Sequence, residues 1–318
     1  MGTTAQAALT PAPITSAQPG GGLCMSLELA WGRCRRAWLR RFWPAYVRRM
    51  SEVRQGTCPD CPHDIVDPRD LKFYRNVCGY RFRPEDDRFA WRGRLRLARY
   101  GLAELILFSV LLSTLTLLFG SCALLIHALF WPAVAVVVGL WLFVISFFRD
   151  PERTPPADAD AVLSPADGTV SHIEEVADPD FPGGRAFRIS IFLSVFNVHV
   201  NRTPRQCRVA TLRYYPGEFL DARAGECAVR NEQFWIDFVD SRTGQLVRVK
   251  QIAGAIARRI VCWLREGEDL QAGERFGMIK FGSRTDVLVP AGCEREVKVK
   301  IGDAVKGGTT ILFNLKRS

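Results

Sequence analysis

Three patterns of apolar and polar positions succeed one another along the chain. Between residues 101 and 148 the apolar positions run together: GLAELILFSVLLSTLTLLFG and FWPAVAVVVGLWLFVISFF share one charge, Glu104, close to an end. That length of helix reaches about 72 Å at 1.5 Å per residue, enough to cross a hydrocarbon core of about 30 Å twice. The connecting stretch SCALLIHAL holds no Lys, Arg, Asp or Glu, while Arg92, Arg94, Arg96 and Arg99 precede the pair and Arg149 and Arg153 follow it. The positive-inside rule predicts a transmembrane helical hairpin with both flanks in the cytoplasm. From about residue 160 the period drops to two. AFRISIFLSV (186–195), RVATLRYY (208–215), FWIDFV (234–239), LVRVKQI (246–252), EVKVKI (296–301) and ILFNL (311–315) read as strands, separated by PDFPGG, SRTGQ, EDLQAG and VPAG. Only AGAIARRIVCWLRE (253–266) has the length of a helix there, and it fits a strand as well. The C-terminal part is predicted to be a mostly β sandwich or barrel with few helices.

Ahead of the hairpin no period is sustained. The first 30 residues, rich in Ala, Pro, Gly and Thr, carry no charged segment before an apolar core, so they read as a disordered leader and not a signal peptide; Met25 and Met50 offer internal starts. Residues 31–100 form a basic extension. Residues 1–100 hold 18 Lys+Arg against 9 Asp+Glu, and residues 101–318 hold 25 against 24. The basic excess therefore belongs to the N-terminal third, which excludes a nucleic-acid surface spread over the main domain. WGRCRRAWLRRFWPAYVRR (31–49) mixes aromatics with Arg, as does a segment lying on an anionic lipid surface; a solvated basic helix has the same pattern. With 48% hydrophobic and 24% charged residues the chain is globular in composition. Ten cysteines are present, and those of the C-terminal half stand singly in apolar stretches, as buried thiols do in a reducing compartment.

Cys58-Pro-Asp-Cys61 and Cys78-Gly79 together look like a zinc ribbon, but Arg75 stands where the fourth cysteine belongs. His63 is the available substitute. No metal is assigned on so incomplete a ligand set.

Three segments carry candidate chemistry in the β domain, residues 149–318. Ser164-Pro-Ala-Asp167-Gly168 presents a carboxylate on a tight turn. Asn197-Val-His199-Val-Asn201-Arg202 places three polar groups on one face after an apolar strand, if alternation is strict. Phe281-Gly282-Ser283-Arg284 interrupts an apolar β stretch. Taken singly each has an ordinary reading, as turn chemistry, a structural histidine or a bulge.

Together they resemble phosphatidylserine decarboxylase in its short bacterial form. The resemblance runs from FFRDPERTPP (147–156) through SPADGTV (164–170), FLSVFNVHVNRTP (192–204), PGEFLDA (216–222), NEQ (231–233), QIAGAIARRIV (251–261) and ERFGMIKFGSRTDV (274–287) to GDAVKGGTTIL (302–312). It does not extend to the first hundred residues. It implies a membrane-bound proenzyme that cleaves itself between Gly282 and Ser283, giving a β-chain (1–282) and an α-chain (283–318) whose Ser283 has become a covalent pyruvoyl group. It further implies that phosphatidylserine forms a Schiff base with that group and leaves as phosphatidylethanolamine and carbon dioxide. His199 is then the expected proton carrier, and Asp167 the expected carboxylate of the processing site. Arg202 stands where the longer form of the family has a second histidine. Asn231 and Glu232 are candidate head-group contacts, and Arg202, Arg258 and Arg259 candidate phosphate partners, unless they form a solvated basic face. His127 and His172 receive structural or lipid-adjacent readings. Two rivals remain: the same chemistry on an ether-linked or otherwise modified phosphatidylserine, and a membrane adaptor of lipoyl- or biotinyl-carrier type. The adaptor is suggested by SPADGTV and GDAVKGGTTIL, but it lacks a modifiable Lys in a β-turn.

Overall fold

The computed structural model describes residues 10–221, 226–255, 259–280 and 282–315. Arg258, one of the candidate phosphate partners, lies outside the described residues.

The extension begins with two helices, α1 (Leu23–Phe42) and α2 (Pro44–Val53). The break at Trp43 has a local cause: a residue before proline is driven out of the helical region, and Trp43 adopts φ −133°, ψ 56°. Trp31, Trp38, Phe42 and Trp43 are all exposed on this pair. Residues 10–22, expected as part of a disordered leader, instead lie along the β domain. Ala12 N donates to Tyr214 O and Cys262 N donates to Ala17 O, both at 2.8 Å, and Ser16, Ala17 and Gln18 are buried. Backbone groups make these contacts, so the side-chain pattern does not announce them.

The apolar runs form α3 (Leu102–Leu125) and α4 (Trp131–Phe147), broken at His127, whose Nδ1 accepts from Leu129 N at 3.1 Å. With the short helical turns that precede them, they form spans Arg99–Leu125 and Ala128–Phe147, each long and apolar enough to cross a membrane. Trp141 Nε1 donates to Ser109 Oγ at 3.0 Å and ties the two helices together.

The C-terminal domain is antiparallel β. Its strands are β1 (Ala161–Leu163), β2 (Gly168–Ala177), β3 (Arg185–Leu193), β4 (Val200–Arg202), β5 (Cys207–Tyr215), β6 (Gln233–Asp240), β7 (Leu246–Ala253), β8 (Arg259–Cys262), β9 (Asp269–Leu270), β10 (Arg275–Lys280), β11 (Ser283–Pro290), β12 (Arg295–Val297), β13 (Ala304–Val305) and β14 (Ile311–Leu315). Eight form one sheet in the order β13-β2-β3-β11-β7-β6-β5-β9, and two three-stranded sheets, β4-β10-β8 and β1-β14-β12, complete the domain. The stretch that had helical length contributes β8, and of the expected 296–301 strand only 296–297 falls in β12. Ile189, Ile191, Phe234, Ile236, Val249, Val287 and Phe313 lie in one buried core, the set that the period of two selects. Cys207 and Cys262 are buried free thiols, and Cys227 is buried as well.

Hairpin and β domain meet through residues 96–104 and 147–150. Ala98 N donates to Phe148 O at 2.7 Å and Asp150 N to Arg96 O at 2.8 Å. Tyr100 stacks on Trp263 at 4.8 Å, and Glu104 at the start of α3 forms a buried ion pair with Lys280 of β10.

Candidate active site

Gly282 has φ +57°, in the left-handed region that glycine enters without cost, and among the described residues beyond its chain neighbours nothing lies within 4 Å of where a Cβ would stand. The glycine is thus required by the backbone turn between β10 and β11 and not by crowding. Ser283 opens β11, a central strand, opposite Leu193 at the end of β3 and Ala253 at the end of β7. It is fully buried, and its Oγ has no hydrogen-bond partner among the described residues. A buried hydroxyl left unpaired costs roughly 1–3 kcal/mol, so such a group marks a place kept for something other than stability.

The turn carrying His199 leaves β3 at that same end. Asn197 Oδ1 accepts from Ser194 N at 2.8 Å and from Ser194 Oγ at 2.7 Å, which closes the turn. Asn197 is therefore the turn's builder and does not share a strand face with His199 and Asn201, because alternation starts only after it. The Asn197 carbonyl lies 2.9 Å from His199 Nδ1. A carbonyl only accepts, so Nδ1 carries the proton and Nε2 keeps its lone pair. Nε2 is buried with no hydrogen-bond partner among the described residues, and the His199 carbonyl accepts from Ile279 N at 3.2 Å, just ahead of the Gly282–Ser283 turn. The imidazole packs on Phe147 of α4 with ring centroids 4.3 Å apart. Burial pushes its pKa down to about 4, against a smaller upward effect of the Asn197 hydrogen bond.

Asp167 is held elsewhere. Its carboxylate forms an ion pair with Arg153, including a 2.7 Å bond from Nη2, and accepts from Gly307 N at 2.8 Å. It reaches His199 only as a weak long-range charge. Arg202 is buried and donates to Asp150 Oδ1 (2.9 Å), Pro151 O (2.8 Å) and Gly273 O (3.1 Å). These contacts fasten the segment after the hairpin to the sheet. Asn231 is fully engaged by backbone, with Leu220 N and O at 2.9 and 2.8 Å and Ala253 O at 2.7 Å, so it braces the 216–221 loop beside the strand end that pairs with Ser283. Glu232 Oε1 accepts from Tyr214 Oη at 3.1 Å while Oε2 is buried without a hydrogen-bond partner among the described residues, and burial raises its pKa. Arg259 starts β8 within electrostatic reach of Glu232. His172 Nδ1 lies 3.0 Å from Ser171 Oγ on β2. A cavity of about 840 Å³ lies between the extension and the β domain, with Arg99, Arg153, Arg202, Arg265 and Arg275 in its wall.

A sequence profile of the phosphatidylserine decarboxylase family matches residues 140–313. Among curated proteins, the chain is 42% identical over 242 residues to a phosphatidylserine decarboxylase proenzyme of Rhodopirellula baltica, covering 76% of this chain and 97% of that one. It is 48% identical over 195 residues to a protein of the same name from Symbiobacterium thermophilum, covering 61% of this chain and 89% of the relative. The chain belongs to the phosphatidylserine decarboxylase family. It is accordingly a decarboxylase, and the Gly282–Ser283 turn, His199 and Asp167 all lie in the part that matches the family.

One feature near the candidate site, the partnering of Asn201 by Gln251 and Thr285, was not drawn from sequence. Gln251 Nε2 donates to Asn201 Oδ1 at 2.8 Å, and Asn201 Nδ2 reaches Pro165 O and Thr285 Oγ1, each at 3.4 Å. Gln251 and Thr285 are cross-strand partners, and all three side chains are buried. This network joins the SPADG turn, β4, β7 and β11 two residues beyond Ser283. The signal was present as polar residues at core-facing positions of apolar strands, but alternation alone does not say which ones meet.

Proposed function

We propose that this decarboxylase is made as a proenzyme that cuts itself between Gly282 and Ser283, and that the resulting pyruvoyl enzyme converts phosphatidylserine to phosphatidylethanolamine and carbon dioxide. The observation that carries the reading is a pair of buried atoms, Ser283 Oγ and His199 Nε2, that have no hydrogen-bond partner among the described residues, in a chain of this family. A serine hydroxyl is a weak nucleophile and needs a base. His199, neutral at pH 7 with Nε2 bare, is that base.

Ser283 Oγ gives up its proton and adds to the Gly282 carbonyl carbon; the Gly282–Ser283 C–N bond breaks and an ester remains. Loss of the Ser283 Cα proton then breaks the Cβ–Oγ bond, leaving a carboxylate on Gly282 and dehydroalanine at 283. Addition of water and loss of ammonia complete the pyruvoyl group. That group supplies an electron sink for the pair released when carbon dioxide departs. His199 then carries a proton to the substrate α-carbon. The cut does not release the α-chain, because β11 remains hydrogen-bonded between β3 and β7.

The hairpin supports a bilayer-spanning anchor with the β domain on the cytoplasmic side, given the arginines at both its flanks. Phe196, in the turn that carries His199, is 72% exposed and packs edge-on against Phe143 of α4 at 5.8 Å, which brings that turn to the membrane side of the domain. The test is phosphatidylserine in vesicles, offered to the wild type and to Ser283→Ala. The wild type is expected to release ethanolamine lipid, and the variant to stay one uncut chain with no product. Cleavage of the variant would overturn the assignment of Ser283.

A further inference from the structure

The basic extension holds a second cluster that the decarboxylase reaction does not use. Cys58 and Cys61 are joined in a disulfide, and Cys78 Sγ, arriving from a segment 17 residues away, lies 2.8 Å from Cys61 Sγ. The three sulfurs all fall within 4.8 Å of one another. Cys78 is buried, whereas Cys58 and Cys61 are half-buried, so the cluster is closed on one side and open to solvent on the other.

The backbone is shaped to bring these sulfurs together. Gln55 and Arg81 exchange two hydrogen bonds of 2.9 Å, forming a single antiparallel bridge between the two cysteine turns. The turns touch through glycine: a Cβ on Gly79 would stand 2.0 Å from Thr57 O, and one on Gly56, at φ +83°, 2.4 Å from Gly79 O. A bond between Cys58 and Cys61 closes a very short loop, which stabilises little through chain entropy and leaves Cys78 without a task. Convergence of a third, sequence-distant sulfur is what tetrahedral metal ligation requires.

We propose that Cys58, Cys61 and Cys78, in their reduced form, are a thiolate site for a soft divalent cation of the zinc type, with solvent at the fourth position. His63 is not the fourth ligand; its ring lies on Tyr74 at 4.7 Å and is not among the converging groups. On the cytoplasmic face proposed above, the low-molecular-weight thiol pool supplies the two electrons and two protons that open the disulfide. Binding then releases the thiol protons. Arg265, within electrostatic range of Arg75, Arg81 and Cys78, balances the negative charge such a centre carries. Arg265 also donates to the Arg75 and Tyr80 carbonyls, and Arg75 pairs with Glu268. The centre would therefore clamp the extension onto the loop after β8.

The experiment is elemental analysis and cobalt exchange on the full chain, reduced, supplied with Zn²⁺ and dialysed. The expected result is stoichiometric zinc, lost to background in Cys78→Ser and kept in Cys34→Ser, an exposed cysteine that is not one of the three. Cobalt-exchanged wild type should show a thiolate-to-metal charge-transfer band, a readout that needs no variant to fold. Background zinc in the wild type with no such band would overturn the proposal, as would zinc retained in the Cys58→Ser/Cys61→Ser/Cys78→Ser triple variant. Neither readout depends on self-cleavage, so failure here leaves the proposed decarboxylation untouched.

Discussion

The two most apolar regions of the molecule use their hydrophobicity in opposite ways. In the β domain the apolar positions alternate, and residues such as Ile191, Ile236 and Val249 are wholly buried. In α3 and α4 the apolar residues run around the whole helix, and only 11% and 6% of their most apolar windows are buried. A helix apolar on every side suits lipid, whereas a strand apolar on alternate positions suits one sheet face. The candidate site lies at the joint between the two, where Phe147 covers His199 and Phe143 meets Phe196. A lipid-modifying site has reason to be there: the substrate stays in one region while the protein groups that act on it are held rigidly by the other.

The comparison breaks most sharply at His199. Replacing it by Ala should slow self-cleavage by roughly 10²–10⁴-fold, the range for a lost general base, as read by band shift on a gel over time. Unchanged cleavage would remove His199 from the processing step.

The second test is acid. The folded chain holds His199 at about 4, below the ordinary 6.5, so between those values the unfolded chain binds a proton that the folded chain does not. Stability from this group is thus fully present above the unfolded value and falls as the pH drops toward 4, by up to about 3 kcal/mol. Denaturant titrations at pH 7 and pH 4.5, compared between wild type and His199→Gln, isolate it. An equal loss in both would contradict the buried neutral imidazole.

Gln251→Leu removes the donor to Asn201 and leaves a buried acceptor unpaired. A loss of about 1–3 kcal/mol is expected in the same titration, with the larger part of any functional effect on cleavage and not on lipid affinity. The smallest effect sharpens the contrast from the other side. Phe196→Asp should raise KM for vesicle-borne substrate by roughly tenfold with a smaller effect on cleavage, since it removes an exposed ring and its packing on Phe143. An unchanged KM on vesicles would detach Phe196 from the membrane side.

The period of two and the unbroken apolar runs carried the hairpin and most strands in sequence, because each is a local property of side chains. Ordering of residues 12–18 was not legible, because backbone amides of β5 and β8 hold that segment. Gly282, Ser283 and His199 stood out as motif residues. The commitments of Asp167 to Arg153 and of Arg202 to Asp150 did not, because ion pairs between segments leave no periodic trace. The choice between helix and strand at 253–266 stayed open in sequence for a related reason: Ile260 and Val261 pair with β10, and that tertiary pairing decides for the strand.

The most direct test of the central claim is the intact mass of the purified wild-type protein. The account predicts two chains, 1–282 and 283–318, the smaller one lighter by one ammonia than the same peptide beginning with serine. A single uncut chain that still turns phosphatidylserine into phosphatidylethanolamine would contradict it.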